Sequence, residues 1–157
     1  MSVRTGDAAP GFTLPFQPGE TVDLGAHFGQ DKVVLLFIPL AFSPVCTDEM
    51  CAVAERWDRW SALGARVVGI SVDSPWVNVR FAEENAIHFP LLSDFNKDVA
   101  RAYGVLNEDY FGMRGVSDRA AFVIDAEGRI AYAWHTEDDS ILPDFDAIAE
   151  VVTQLRD

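Results

Sequence analysis

The strongest constraint on the fold is a continuous apolar run at residues 33–38, Val-Val-Leu-Leu-Phe-Ile, which ends at a proline. A short apolar run rich in β-branched residues predicts a strand that is buried on both faces of a sheet. A similar run lies at residues 66–72, and helical periodicity predicts helices from residue 44 or 46 to about 63 and from 75 to about 87. Two buried strands joined by a helix form a right-handed βαβ unit, so the sequence predicts an α/β layer structure.

Further elements are predicted before and after this βαβ unit along the chain. Alternating apolar residues around Gly19 predict an N-terminal β-hairpin at the edge of the structure. The remaining predicted elements are, in chain order, an extended piece at 89–93, a short helix at 96–103, a β-hairpin from 120–124 and 129–134, and an amphipathic helix at 143–156. This order predicts a thioredoxin-like α/β fold, with a central mixed β-sheet flanked by helices and an N-terminal β-hairpin, formed by a single domain over residues 1–157.

Composition excludes several classes of partner. The chain has 157 residues, of which 49% are hydrophobic, enough for one full core. Its formal net charge of −13 opposes binding to nucleic acid or to anionic membrane surfaces. No apolar stretch is long enough to span a bilayer, and the first residues lack the apolar region of a signal peptide. We therefore expect a cytoplasmic protein with no nucleic-acid or membrane partner.

Both cysteines lie near the start of the first long helix, where Cys46 follows the apolar strand and Cys51 comes five residues later. Backbone N–H groups point outward at a helix start, and the helix dipole there favours a thiolate. In a chain without an export signal, two neighbouring cysteines are more often redox-active or metal-binding than a structural disulfide. The pair therefore indicates chemistry, with redox and metal binding both open at this point.

Five motifs in order make the sequence resemble the peroxiredoxins over nearly its whole length. They are Gly-Asp-Ala-Ala-Pro-Gly-Phe-Thr-Leu at 6–14, the P-x-x-x-S-x-x-C run ending at Cys46, Gly-Ile-Ser-Val-Asp-Ser at 69–74, Phe-Pro-Leu-Leu-Ser-Asp at 89–94 and Arg-Ala-Ala-Phe-Val-Ile-Asp at 119–125. Residues 39–42 and much of the later chain are similar to AhpE-like peroxiredoxins. The C-x-x-x-x-C spacing is that of the Q-type, or bacterioferritin-comigratory-protein, peroxiredoxins, and it favours that subtype.

The resemblance implies that Cys46 is the peroxidatic cysteine, which attacks a peroxide oxygen and becomes a sulfenic acid. A thiol with a reference pKa of about 8.5 is about 3% ionised at pH 7, so full ionisation gains only about 30-fold, or ~2 kcal/mol. The rest of the acceleration must come from donors directed at the peroxide oxygens. The candidates are Arg119, the Ser43 hydroxyl and the backbone N–H groups of residues 45 and 46.

Three further roles follow from the resemblance. Pro39 would shield the site from water, and Glu49 would orient the arginine through a charge-assisted contact. Cys51 would be the resolving cysteine, forming a disulfide with Cys46 that a thioredoxin-like dithiol reduces. On a regular helix, residues five apart have Cα atoms roughly 8 to 9 Å apart, whereas a disulfide requires less than about 7 Å. The bond therefore requires local unwinding of the helix.

Several alternatives remain open at this stage. Cys51 could be an inert packing residue in a one-cysteine, AhpE-like enzyme. A thiol-disulfide oxidoreductase on this fold would normally have C-x-x-C, and a copper-binding assembly factor would have C-x-x-x-C with a histidine where Arg119 stands. We expect no cofactor and no metal. The expected partners are hydrogen peroxide, alkyl hydroperoxides and a thioredoxin-like reductant. The protein is expected to be a monomer or a weak homodimer, with Phe42, Trp76 and Phe111 as candidate contacts.

Overall fold

A five-stranded mixed sheet forms the centre of the computed structural model, which describes residues 3–55, 62, 64–138 and 140–155. The strand order is β5-β4-β3-β8-β9; β3, β4 and β5 are parallel, while β8 is antiparallel to β3 and β9. The strands are β1 Thr13–Gln17, β2 Glu20–Asp23, β3 Lys32–Phe37, β4 Ala65–Ser71, β5 Leu91–Ser93, β6 Leu106–Asn107, β7 Val116–Ser117, β8 Arg119–Ile124 and β9 Ile130–Thr136. The helices are α1 Pro44–Glu55, α2 Pro75–Glu84, α3 Asp98–Ala102 and α4 Phe145–Gln154.

Strand β3 divides the core into two layers because successive side chains of a strand point to opposite faces. Val33, Leu35 and Phe37 belong to one buried cluster, which also contains Tyr103 and residues of the N-terminal hairpin. The alternate residues of the strand belong to the other cluster, together with Cys46 and with residues of α1 and α4. Helices or hairpin segments therefore cover both faces of this strand, as its unbroken apolar sequence predicts.

The predicted fold class is confirmed. The N-terminal hairpin, the two buried parallel strands, the C-terminal hairpin and the terminal helix all lie within a few residues of their predicted positions. Helix α1 begins at Pro44, the earlier of the two predicted starts. Its predicted continuation through Trp57 and Trp60 to residue 63 lies outside the described residues.

At two predicted helix boundaries, a residue with positive φ ends or delays the helix. Helix α2 ends at Glu84 and not at residue 87, because Asn85 has non-helical dihedral angles and Ala86 has a positive φ of 53°. Helix α3 begins at Asp98 and not at residue 96, because Lys97 takes the left-handed conformation, with φ of 67°. A right-handed helix cannot continue through a residue with positive φ.

The topology brings three chain segments together at one end of the sheet. Because β8 runs antiparallel to β3, the start of β8 lies beside the end of β3, with Phe37 opposite Ala120. Helix α1 starts shortly after β3 ends, so its first turn lies at the same end. Arg119, the first residue of β8, shares a face of its strand with Ala121, which belongs to the cluster that contains Cys46. The register of the sheet thus directs Arg119 toward α1.

Candidate active site

The loop at residues 39–43 connects β3 to α1 and is held by contacts at both of its ends. Pro39 is buried where the strand ends. The backbone N–H of Ala41 donates to Asp73 Oδ2 at 2.7 Å, and the Ser43 hydroxyl donates to the Leu40 carbonyl at 2.8 Å. Phe42 has a positive φ of 69°, which is uncommon for a bulky residue and indicates that the surrounding contacts fix the turn.

The helix start places Cys46 in the first turn of α1. The Thr47 N–H donates to the Ser43 carbonyl at 2.9 Å and closes the first intrahelical hydrogen bond. The first four N–H groups of a helix have no intrahelical acceptor, and the helix dipole is positive at this end. Cys46 therefore lies where both the backbone N–H groups and the dipole favour negative charge.

Arg119 joins the cysteine to a buried carboxylate. Its Nη1 donates to Glu49 Oε1 at 2.7 Å, and its Nη2 donates to Cys46 Sγ at 3.3 Å. The cysteine and the glutamate have no exposed surface, and the arginine is 1% exposed. Glu49 lies three residues after Cys46 on α1, so the two side chains share one face of the helix. One guanidinium thus bridges sulfur and carboxylate in the interior of the protein.

Cys46, Glu49 and Arg119 form a triad in which burial and neighbouring charges have opposite effects on the pKa values of the glutamate and the arginine. Burial raises the pKa of Glu49 from 4.5 to about 7, although the hydrogen bond and the charge of Arg119 lower it. Burial acts to lower the pKa of Arg119, but the neighbouring Cys46 and Glu49 outweigh it and the net direction is upward. Arg119 is therefore a fixed cation. Glu49 Oε2 has no hydrogen-bond partner among the described residues, so the carboxylate has acceptor capacity left over.

Cys51 has different surroundings one and a half turns further along α1. It is partly buried, and its Sγ donates to Asn85 Oδ1 at 3.4 Å. No disulfide joins the two cysteines in the structure. Helix α1 is regular through both positions, so the Cα atoms lie roughly 8 to 9 Å apart by helical geometry. At this spacing the two sulfur atoms cannot form a disulfide without local unwinding of α1.

The structure brings together three of the predicted site residues, Cys46, Glu49 and Arg119, in direct contact. Pro39 and Ser43 lie in the loop that leads to the first of these, and the serine hydroxyl is directed at a backbone carbonyl in this state. Cys51 lies apart from the triad.

The sequence patterns do not point to Asp73, whose carboxylate anchors the loop before Cys46, or to Asn85, whose amide accepts from the Cys51 thiol. Asp73 does fall within one of the recognised motifs, at residues 69–74, which could have drawn attention to it. Asn85 lies in no recognised motif, and its contact spans 34 residues. No signal in the sequence identifies it.

Comparisons with known proteins agree with this geometry. The model of the AhpC/TSA family matches residues 5–133. Peroxiredoxin Bcp of Escherichia coli strain K12 is 38% identical over 134 residues, covering 84% of this chain and 85% of that protein.

Among the described residues, no helix has the length and apolar character needed to cross a bilayer.

Solved structures extend the match to nearly the whole chain. Peroxidoxin BcpB of Mycobacterium tuberculosis superposes with a TM-score of 0.84 at 30% identity, covering 98% of each chain. The bacterioferritin comigratory protein of Xanthomonas campestris, described for its alkyl peroxide reduction activity, gives 0.76 at 26% identity, with 90% and 89% covered. The fold, the motifs and these matches together show that the chain belongs to the AhpC/TSA family, as a thiol-dependent peroxidase of the Bcp, or Q-type, peroxiredoxins.

Proposed function

We propose that Cys46 is the peroxidatic cysteine of this enzyme and that it reduces hydrogen peroxide and organic hydroperoxides. The observation that carries the proposal is the contact of a fully buried cation, Arg119, with both Cys46 Sγ and Glu49 Oε1. A cation held beside the sulfur favours the thiolate and is placed to stabilise charge that develops on the peroxide oxygens. Glu49 fixes the guanidinium so that little reorganisation is needed during the reaction.

The first step transfers one oxygen atom. The Cys46 thiolate attacks one peroxide oxygen, a sulfur–oxygen bond forms and the O–O bond breaks. The other oxygen leaves as hydroxide or alkoxide and takes up a proton to become water or an alcohol. Sulfur is oxidised to the sulfenic acid and the peroxide is reduced. Because Cys46 has no exposed surface, neighbouring atoms must move before peroxide reaches its sulfur.

The second step consumes the sulfenic acid. The sulfur of Cys51 attacks the sulfur of Cys46, a disulfide forms, and the hydroxyl of the sulfenic acid leaves with the thiol proton as water. This step requires α1 to unwind locally, because the disulfide is too short for the helical spacing. A thioredoxin-like dithiol then reduces the disulfide by thiol–disulfide exchange and restores both cysteines.

Apolar surface near the site supports organic hydroperoxides as substrates. Leu40, in the loop before Cys46, packs against a small buried cluster that contains Tyr110. The ring of Tyr110 contacts that of Phe111, which is 80% exposed, and Phe42 in the same loop is 47% exposed. Such side chains are suited to contact the alkyl group of a hydroperoxide. A monomer or weak homodimer, with Phe42, Trp76 and Phe111 as candidate contacts, and a cytoplasmic location remain predictions.

Replacing each cysteine in turn tests the assignment. We expect Cys46→Ser to abolish peroxide turnover with thioredoxin and thioredoxin reductase, because serine cannot form the sulfenic acid. We expect Cys51→Ser to oxidise once at a nearly native rate and then to recycle slowly. Stopped-flow measurement of peroxide loss separates the two steps. Turnover in Cys46→Ser would overturn the assignment.

A one-cysteine cycle is the second candidate, and the regular helix through both cysteines favours it. In that case Cys51→Ser would recycle as well as the native enzyme when an external monothiol is supplied.

A further inference from the structure

The side chain of Asn85 occupies a defined position between two parts of the structure. It is the first residue after α2, and its Oδ1 accepts from Cys51 Sγ at 3.4 Å. Its Nδ2 donates to the Phe81 carbonyl at 2.9 Å, and its backbone N–H donates to the same carbonyl at 3.2 Å. One asparagine therefore caps the end of α2 and contacts the second cysteine of α1.

The cap fixes which amide atom faces the sulfur. A flipped amide would direct Oδ1 at the Phe81 carbonyl, where two acceptors would meet. The oxygen therefore faces Cys51. A thiol can donate its proton to that oxygen, whereas a thiolate would face a lone pair. The arrangement stabilises the protonated form of Cys51 in its helical position.

The same turn of α2 also contacts the segment before Cys46. The Phe81 ring, which is fully buried, packs edge-on against the Phe42 ring with 5.0 Å between centroids. Phe81 and Asn85 are one helical turn apart, so α2 supports both the loop before Cys46 and the thiol of Cys51. Unwinding of α1 that brings the two sulfurs together has to break the contact between Cys51 and Asn85.

We propose that Asn85 is a positioning residue that holds Cys51 as a protonated thiol on folded α1 and thereby slows its attack on the oxidised Cys46. The inference rests on the proposed function, in which the Cys51 sulfur displaces the hydroxyl of the Cys46 sulfenic acid. Loss of the contact removes one interaction that favours the protonated thiol and one restraint on unwinding. A sulfenic acid that waits longer for Cys51 is exposed longer to a second peroxide, so Asn85 also influences over-oxidation.

Two substitutions separate this role from helix capping. Asn85→Ala removes the acceptor for the thiol, whereas Asn85→Asp replaces it with a charged acceptor that opposes a thiolate. Both lose the donor to the Phe81 carbonyl, so a purely structural role would move both variants in the same direction. Asn96→Asp, at an exposed position, controls for the added charge.

The first readout does not depend on peroxide. In a Cys46→Ser background, iodoacetamide alkylation of Cys51 at pH 7 should be about fivefold faster with Asn85→Ala, as expected for loss of one hydrogen bond. Alkylation should be slower than native with Asn85→Asp and unchanged with Asn96→Asp. Equal rates in all variants, or acceleration by both Asn85 substitutions, would overturn the inference.

The second readout uses both cysteines. After one equivalent of hydrogen peroxide, sulfenic acid formation should be unchanged, while disulfide formation should be faster with Asn85→Ala and slower with Asn85→Asp. Disulfide formation that moves the same way in both variants would overturn the inference. The alkylation result stands independently of peroxidase activity, so the predicted opposite alkylation shifts without peroxide turnover would reject only the proposed function.

Discussion

Cys46 and Cys51 lie on one helix, five residues apart, but their surroundings differ in charge and burial. Cys46 is fully buried and contacts the guanidinium of Arg119, which a buried carboxylate orients. Cys51 is partly buried, and its thiol donates to a neutral amide. A cation beside sulfur favours the thiolate, whereas an acceptor beside sulfur favours the thiol. The comparison teaches that two positions on one helix can have opposite electrostatic surroundings, a cation at one sulfur and a neutral acceptor at the other.

Replacing the cation should have the largest effect on this contrast. Arg119→Lys keeps a positive charge but cannot contact Cys46 and Glu49 at once with a planar fork. We expect the rate constant for Cys46 oxidation by hydrogen peroxide to fall about 10²- to 10³-fold, as for loss of one donor to a developing oxyanion. Alkylation of Cys51 should stay unchanged. Stopped-flow fluorescence measures the first quantity, and Arg101→Lys, at an exposed arginine, is the matched control. A loss of less than threefold would contradict a direct role for the guanidinium.

The buried carboxylate should have a strong effect on stability as pH changes. Because burial raises the pKa of Glu49 from 4.5 to about 7, the folded protein binds this proton more tightly than the unfolded chain does. The contribution of Glu49 to stability is therefore fully present below pH 4.5 and is lost as the pH rises through about 7. Each pKa unit corresponds to about 1.4 kcal/mol, so the loss amounts to ~3 kcal/mol.

Glu49→Gln, which cannot ionise, should escape that loss. As the pH rises from 5 to 8, we expect the free energy of unfolding of Glu49→Gln to increase relative to that of the native protein. Urea denaturation at several pH values measures the difference. The exposed Glu84→Gln substitution should show no such pH dependence. A constant difference between Glu49→Gln and the native protein over this range would show that the carboxylate does not titrate there.

Removing the hydrogen bond that anchors the loop before Cys46 should have a smaller effect on the rate of Cys46 oxidation. Asp73→Ala removes the acceptor for the Ala41 N–H, and a hydrogen bond to a charged group contributes about 1.5 to 3 kcal/mol. Relaxation of the loop would misplace the first turn of α1, so we expect Cys46 oxidation to slow about tenfold. Asp73→Asn retains an acceptor oxygen and should restore most of the rate. Equal rates for the alanine and asparagine variants would argue against positioning through this hydrogen bond.

Much of the fold follows from local sequence patterns. The apolar run of β3 and the Ser74 cap with Pro75 at the start of α2 are local signals, and the structure has both elements where they indicate. Strands β6 and β7, of two residues each, were not predicted, because pairing in the folded protein and not propensity defines them. The predicted end of α2, at residue 87, lies three residues beyond the observed end at Glu84, because the apolar periodicity of the sequence continues past the cap residue Asn85.

Some residues of the site could be predicted from the sequence, and others could not. Motifs identified Cys46, Glu49 and Arg119, which the structure places in contact although the cysteine and the arginine are 73 residues apart. The hydrogen bonds of Asp73 and Asn85 span 32 and 34 residues, so they form only when distant parts of the chain pack together. Neither residue type is unusual at the end of a strand or helix, so their local sequence does not reveal these contacts.

The central claim is that Cys46 is oxidised first and that Cys51 resolves it. Intact mass with free-thiol counting, after one equivalent of hydrogen peroxide is added to the reduced protein, tests this claim most directly. We expect loss of two hydrogens and of both thiols, with a peptide map that joins Cys46 to Cys51. A stable gain of one oxygen with the Cys51 thiol intact would contradict it.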